Sequence, residues 1–204
     1  MTYADVIAKV REQITDPEGN RWSDAEITDY IDLGQRRISI ASLSLSGSLD
    51  YTGDSTLDFY ALPDDFLEFT AFVLPNDKNL DLLSAETLDK YYTAKFLTDQ
   101  TAQAPIAACL DFGSWNELRF YPNPETGVAI GTLEYKRLAA SGSIEIEELD
   151  ALADFALFRM YIKQHDENSV KKAGEFLKKF EQRERKLRTH KKSTFRRVVH
   201  GTFY

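Results

Sequence analysis

The spacing of apolar residues predicts helices at both ends of the chain. Residues 3–14 carry apolar side chains at helical spacing and are followed by turn-forming residues. A second apolar stripe recurs at steps of three and four residues over residues 27–45. Helical spacing returns over residues 148–188, where residues 166–169 allow a short reversal between two helices. These patterns predict four helices that share one antiparallel core.

The second helix carries its own start signal. Ser23 and Glu26 have the spacing of a capping box, in which each side chain accepts a hydrogen bond from a backbone N–H of the helix start. Trp22 and Ile27 occupy the flanking positions of a hydrophobic staple. Gly34 interrupts the apolar stripe with the smallest residue, which predicts close approach of another element at that point.

The section between the helices has the pattern of short strands. Over residues 47–147, aromatic and aliphatic residues alternate with polar ones and are separated by Pro, Gly, Asn and Asp turn signals. Strands are predicted at residues 107–112, 117–121 and 128–138, which are rich in β-forming residues. One short helix is predicted at residues 84–92.

Together these elements predict an α+β fold. It consists of an antiparallel helical bundle of about four helices, an inserted small antiparallel β-sandwich or barrel-like region, and an extended C-terminal tail. Residues 1–46 and 148–189 form the bundle, residues 47–147 the β-rich insertion and residues 190–204 the tail. The tail is basic and aromatic but has no apolar stripe, so we expect it to order only on a partner.

Charge is distributed unevenly along the 204 residues. The formal net charge is −8, but residues 171–204 hold twelve Lys and Arg against three acids, a charge of +9. Residues 1–170 therefore carry −17. An acidic body with a basic arm suits three kinds of partner: nucleic acid, an acidic protein surface, or neighbouring copies of the same chain.

Cysteine content and hydropathy indicate the kind of cellular compartment in which the protein is made. Cys109 is the single cysteine, which excludes an internal disulfide and fits a reducing compartment. No sequence signature links Cys109 to a histidine, so we expect it to be buried and inert. Neither an apolar signal segment nor a run long enough to span a membrane is present in the sequence. We therefore expect a protein that is soluble and intracellular when made and that has no membrane partner.

The sequence contains no motif of an enzyme. Phosphate-binding glycine loops, a nucleophile elbow and a zinc-binding helix are all absent. Acids are concentrated at residues 24–32 and 64–68, but the first set spreads around a helix and the second belongs to a turn. We therefore predict no catalytic residue, no metal ligand and no cofactor. A carboxylate–Mg²⁺ nuclease or hydrolase stays open as an alternative.

The basic C-terminal part favours binding rather than catalysis. A basic helix can neutralise phosphates without reading sequence, so a non-specific nucleic-acid-binding module acting through this helix is one hypothesis. Aromatic residues interleaved with Arg favour protein docking instead, because such residues dominate interface energies. The predicted docking residues of the tail are Phe195, Arg196, Arg197, His200, Phe203 and Tyr204.

The second helix offers a further contact surface. Its polar face carries Asp24, Asp32, Gln35 and Arg36 opposite the apolar stripe. After helix capping and core packing are accounted for, four charged residues remain as candidates for a contact between subunits. They are Asp29, Asp32, Arg36 and Arg37.

Three segments, in this order, carry a resemblance to a known family. They are WSDAEITDYIDLGQRRI (residues 22–38), FYALPDDFLEF (residues 59–69) and LRFYPNPETGVAIGTLEYKRL (residues 118–138). Followed by a helical hairpin and a basic tail, they make the sequence similar to the head–tail connector (adaptor) proteins of tailed bacteriophages.

This resemblance implies a structural virion protein rather than an enzyme. The family forms a homo-oligomeric ring, a dodecamer in the virion, that joins the portal protein to the tail or to a second connector protein and lines the DNA passage. The expected location is therefore the head–tail interface of the virion, after synthesis in the host cytoplasm, and double-stranded DNA would pass without sequence-specific contacts. The tail of such proteins reaches into the portal, a role that falls here to residues 191–204.

Overall fold

A computed structural model of the chain describes residues 1–14, 21–57, 59–83, 87, 105, 107–111 and 117–192. These residues form four helices and seven strands, which confirms the predicted α+β fold. The helices are α1 (Tyr3–Ile14), α2 (Asp24–Ser42), α3 (Leu149–Gln164) and α4 (Glu167–Lys192). The strands are β1 (Ser46–Thr52), β2 (Tyr60–Ala61), β3 (Phe66–Val73), β4 (Asp81–Leu83), β5 (Ala107–Asp111), β6 (Glu117–Tyr121) and β7 (Ala129–Arg137).

The helices belong to one compact unit, formed by Met1–Leu45 together with the chain from Leu138 onward. Its core contains the apolar stripes that the sequence predicts, contributed by all four helices. Trp22 and Ile27 are both buried in this core, as expected for a hydrophobic staple. Other fully buried members are Val6, Val10, Ile31, Leu152, Ala156, Leu157 and Phe180.

The start of α2 forms half of the predicted capping box. The Ser23 hydroxyl accepts a hydrogen bond from the Glu26 backbone N–H at 3.2 Å. The reciprocal hydrogen bond, in which the Glu26 carboxylate would accept from the Ser23 backbone N–H, was predicted wrongly. That carboxylate accepts from the Tyr30 hydroxyl at 3.0 Å and pairs with the Lys163 ammonium on α3. An ammonium group from another helix is a stronger hydrogen-bond donor than a neutral backbone N–H, which explains why the Glu26 carboxylate pairs with Lys163 instead.

Gly34 provides the close approach that the sequence predicts. A Cβ placed on Gly34 would lie 3.1 Å from Cδ1 of Phe155, which belongs to α3. The Phe155 ring also packs against Phe180 of α4, with the ring centroids 5.0 Å apart. Gly34 therefore lets an aromatic ring pack directly against the backbone of α2.

The strands form a second compact unit, Ser46–Arg137, with two sheets. One is a three-stranded antiparallel sheet in the order β1-β7-β3, and the other has the order β2-β6-β5-β4. Aromatic rings from both sheets meet between them: Tyr51 and Phe72 from the first, Tyr60 and Phe120 from the second. Phe72 and Phe120 pack edge to face with centroids 5.0 Å apart. This aromatic layer gives the β unit a core of its own.

One strand pair departs from the predicted antiparallel arrangement. β4 pairs with β5 in parallel, with Asp81 opposite Ala107 and Leu83 opposite Cys109. A parallel pair needs a connection of roughly a dozen residues or more, and residues 84–106 supply that length. The helix predicted at residues 84–92 lies outside the described residues except for residue 87. Cys109 is buried, as predicted.

Candidate interaction surfaces

Asp32, a predicted subunit contact, lies in a network inside the helical unit. Its carboxylate accepts hydrogen bonds from the Tyr3 hydroxyl and from the Gly142 backbone N–H, the latter at 3.3 Å. Burial, and after it the hydrogen bond to Asp32, raises the pKa of Tyr3 to about 12. Asp32 therefore links α1 and α2 to the segment that precedes α3.

Gln35 anchors the same segment and is fully buried, although the sequence placed it on the polar face. Its amide nitrogen donates to the Ser143 carbonyl at 3.0 Å. Its amide oxygen accepts from the backbone N–H groups of Glu145 and Ile146 at 2.8 and 3.2 Å. A signal for this burial was present, because Gln35 lies four residues after buried Ile31.

Arg37, another predicted contact, packs on α4. Its guanidinium lies 5.1 Å from the centroid of the Phe180 ring, in cation–π geometry. Its Nη2 atom is also 3.7 Å from carboxylate oxygens of Glu181 and of Glu184, and Glu184 is buried. Arg37 thus neutralises acids on α4 within its own chain.

The other two predicted contacts, Asp29 and Arg36, lie on the exposed face of α2. Among the described residues, Arg36 contacts the Ser141 hydroxyl through one long hydrogen bond of 3.4 Å. Two apolar residues share this face, Leu33 with 43% and Ile40 with 57% of their surface exposed. We call the set of Asp29, Leu33, Arg36 and Ile40 the α2 stripe.

A basic residue of α4 forms ion pairs that join this helix to α3. Arg183 donates to Asp154 and to Asp150, each at 2.9 Å, and Lys9 of α1 pairs with Asp150. The hydrogen bond from Lys9, with a weaker contribution from Arg183, lowers the pKa of Asp150. Burial raises the pKa of Asp154, and Arg183 offsets this only in part.

Other cations of α4 lie against their own chain. Lys171 pairs with Glu167 at 3.1 Å, and Arg188 donates to Glu184 at 2.8 Å. The ammonium groups of two lysines lie over aromatic rings, Lys172 over Tyr161 and Lys179 over Phe176. The helix therefore presents less unpaired charge than its sequence suggests.

The predicted docking residues of the tail lie outside the described residues. They are Phe195, Arg196, Arg197, His200, Phe203 and Tyr204. The structure describes the backbone of the chain as far as Lys192, the last residue of α4, so residues 190–192 are helical.

Several of the acids considered for metal binding, Asp24, Asp32 and Asp65 among them, have partners elsewhere. Asp24 pairs with Arg11, and Asp65 accepts from the Tyr135 hydroxyl at 3.0 Å. Within the described ranges, no three His, Cys, Asp or Glu side chains are grouped so that they could hold a metal ion. In the same residues, every helix is too short or too polar to cross a lipid bilayer.

The family model described as SU10 adaptor protein matches residues 1–200. The chain therefore belongs to the SU10 adaptor protein family, a family of phage head–tail adaptors, which confirms the resemblance seen in the sequence. This is a family of structural virion components and not of enzymes. No curated protein matches the chain.

Proposed function

We propose that the protein forms a homo-oligomeric ring, a dodecamer in the virion, between the portal protein and the tail or a second connector protein. The observation that carries this proposal is the adaptor family match over residues 1–200, which includes both compact units and most of the basic tail. Rings of identical subunits require two different surfaces on each chain, one for each neighbour. The exposed charges of α2, Asp29 and Arg36, supply one of them.

The C-terminal tail, residues 190–204, is the proposed contact with the portal. Its aromatic and Arg residues are of the types that anchor protein interfaces. Because the tail carries no apolar stripe, it has little reason to pack on its own helical unit. Ordering on the portal would give these residues a partner.

The acidic body is proposed to line the DNA passage. Residues 1–170 carry a formal charge of −17, which opposes contact with phosphates and lets duplex DNA slide. An electron microscopy map of the ring would test this role, because the acidic surface of each subunit should face the DNA passage. An acidic surface on the outside of the ring would rule this role out.

The experiment that tests the ring is electron microscopy of the purified protein mixed with its portal. We expect a ring attached to the portal with the full-length chain and no attachment when residues 193–204 are deleted, which leaves α4 intact. Substituting Phe203 and Tyr204 together by Ala should weaken attachment, whereas Thr202→Ala serves as a matched control in the same segment. Attachment that survives the deletion would show that the portal contact lies elsewhere.

A second candidate function is non-specific nucleic-acid binding through α4 and the tail, favoured by the charge of +9 on residues 171–204. It predicts that the full-length protein binds duplex DNA in a salt-dependent manner and that charge reversal at Lys171 and Lys178 weakens binding. The adaptor proposal predicts no appreciable binding at physiological salt, because the acidic body repels DNA and several cations of α4 already contact their own chain.

A further inference from the structure

The α2 stripe combines exposed apolar residues with opposite charges in a regular order. Asp29, Leu33, Arg36 and Ile40 follow one another at steps of four, three and four residues, the spacing of a helix that packs against another helix. Leu33 and Ile40 are among the most exposed large apolar side chains in the described part of the chain. Burial of such residues favours association.

The order of charges along the stripe is self-complementary. Asp29 and Arg36 are seven residues apart, or roughly 10.5 Å along the helix axis, and their midpoint falls beside Leu33. A second helix in the reverse direction, centred at that midpoint, places Asp29 of each copy opposite Arg36 of the other. Leu33 then meets Leu33 of the second copy, and Ile40 faces the small, exposed Ala25. We propose that the free protein forms a two-fold symmetric dimer in which two α2 stripes pack antiparallel.

The charges of Asp29 and Arg36 favour a reversed second copy of α2 over other binding partners. A parallel copy in register would place Asp29 opposite Asp29 and Arg36 opposite Arg36, which repels. Nucleic acid would meet the Asp29 carboxylate and two apolar side chains where it needs cations. Only a reversed copy satisfies both charges and buries both apolar residues, as isologous interfaces do. One helix face buries less area than a standard interface, so the dimer is weak and depends on protein concentration.

The dimer would also affect ring assembly, an effect that rests on the proposed ring function. A two-fold interface is closed and adds no third copy, so it cannot grow into a ring. If the ring also uses the exposed charges of α2, one helix cannot serve both contacts at once. The dimer would then cover the stripe until the portal offers a surface on which subunits assemble.

The test measures the oligomeric state of the full-length protein alone, by sedimentation equilibrium over a wide concentration range. We expect a monomer–dimer equilibrium in the wild type. Asp29→Arg and Arg36→Asp should each raise the dimer dissociation constant by about ten-fold or more, because each creates two like-charge contacts. Mixed one to one, these two variants should form a heterodimer, since each then offers the charge that the other needs. The double variant should recover the wild-type homodimer.

An exposed leucine elsewhere gives the apolar control. Leu33→Ser should dissociate the dimer, whereas Leu57→Ser, at a residue with the same 43% exposure in the β unit, should not. Circular dichroism would show that each variant is folded. A wild type that stays monomeric at the highest concentrations, or two charge variants that do not recombine, would overturn the two-fold dimer. Single variants that leave the free protein's oligomeric state unchanged but abolish the portal complex would overturn it too, and would assign the stripe to the ring. A wild-type protein that forms the dimer but no ring with its portal would contradict only the proposed function.

Discussion

Gln35 shows how one buried polar side chain holds a connecting segment in place. Gln35→Ala would remove the acceptor of the Glu145 and Ile146 N–H groups and the donor to Ser143. We expect the free energy of unfolding of the helical unit to fall by about 2 to 4 kcal/mol, because two backbone donors lose their partner next to the core. Urea unfolding followed by circular dichroism would measure it.

The same substitution at an exposed glutamine is the control for Gln35. Gln182 lies on the exposed surface of α4, so Gln182→Ala should change the free energy of unfolding by less than about 0.5 kcal/mol. Equal effects at the two positions would mean that the hydrogen bonds of Gln35 contribute little.

At the residue scale, local signals were predicted and distant polar partners were not. The Ser23 cap, the Trp22 and Ile27 staple and the close approach at Gly34 follow from spacing within a few residues. Gln35 and Glu26 also have partners more than a hundred residues away in sequence, Ser143 for Gln35 and Lys163 for Glu26. A helical wheel carries no information about such partners.

The ion pairs that join α1, α3 and α4 make the stability of the helical unit depend on pH. The pKa of Asp150 is lower in the folded state than its ordinary value of 3.8, so its stabilising effect is present above that value. This effect is lost as pH falls through the lowered pKa. Asp150→Asn should therefore destabilise the protein at pH 7, by less than about 1 kcal/mol because the side chain is partly exposed, and the difference should shrink as pH falls below 3.8.

Asp154 should show the opposite dependence on pH. Burial raises the pKa of Asp154, so its ionised form costs stability above the raised pKa, and this cost disappears as pH falls below it. Relative to the wild type, Asp154→Asn should therefore become more stable as pH rises from 3 to 7, whereas Asp150→Asn should become less stable. Urea unfolding of both variants at several pH values would measure the two slopes. If the stability differences of both variants change with pH in the same direction, the ion pair with Arg183 fully offsets the effect of burial on the pKa of Asp154.

At the element scale, the sequence pattern predicted where the strands lie better than it predicted the direction in which they pair. β6 has the predicted bounds, β7 is one residue shorter than predicted at each end, and β5 agrees with its prediction over the described residues 107–111. The parallel pairing of β4 with β5 was missed because alternation reports which faces of a strand are buried and not the direction of its neighbour. The length of residues 84–106 was the available signal.

At the scale of the whole molecule, the two units have separate cores. Buried residues that are mostly aliphatic fill the helical unit, and the core of the β unit combines an aromatic layer with buried Leu and Ile. The sequence predicted a helical bundle interrupted by a β-rich insertion, and the contacts group residues from Leu138 onward with the helices. Ser39 and Gln35 explain this grouping, because they bind the backbone at Ala139 and at residues 143–146.

Separate cores predict that each unit can lose stability without the other. Leu133 of β7 and Leu152 of α3 are both fully buried, so each substitution by Ala should cost its own unit about 2 to 5 kcal/mol. Hydrogen exchange read by mass spectrometry would locate the effect. Leu133→Ala should accelerate exchange in β1, β3 and β7 and leave the helices unchanged, and Leu152→Ala should do the reverse. Faster exchange in both units after either substitution would mean that they unfold as one cooperative body, and an adaptor subunit would then respond to its neighbours as a whole.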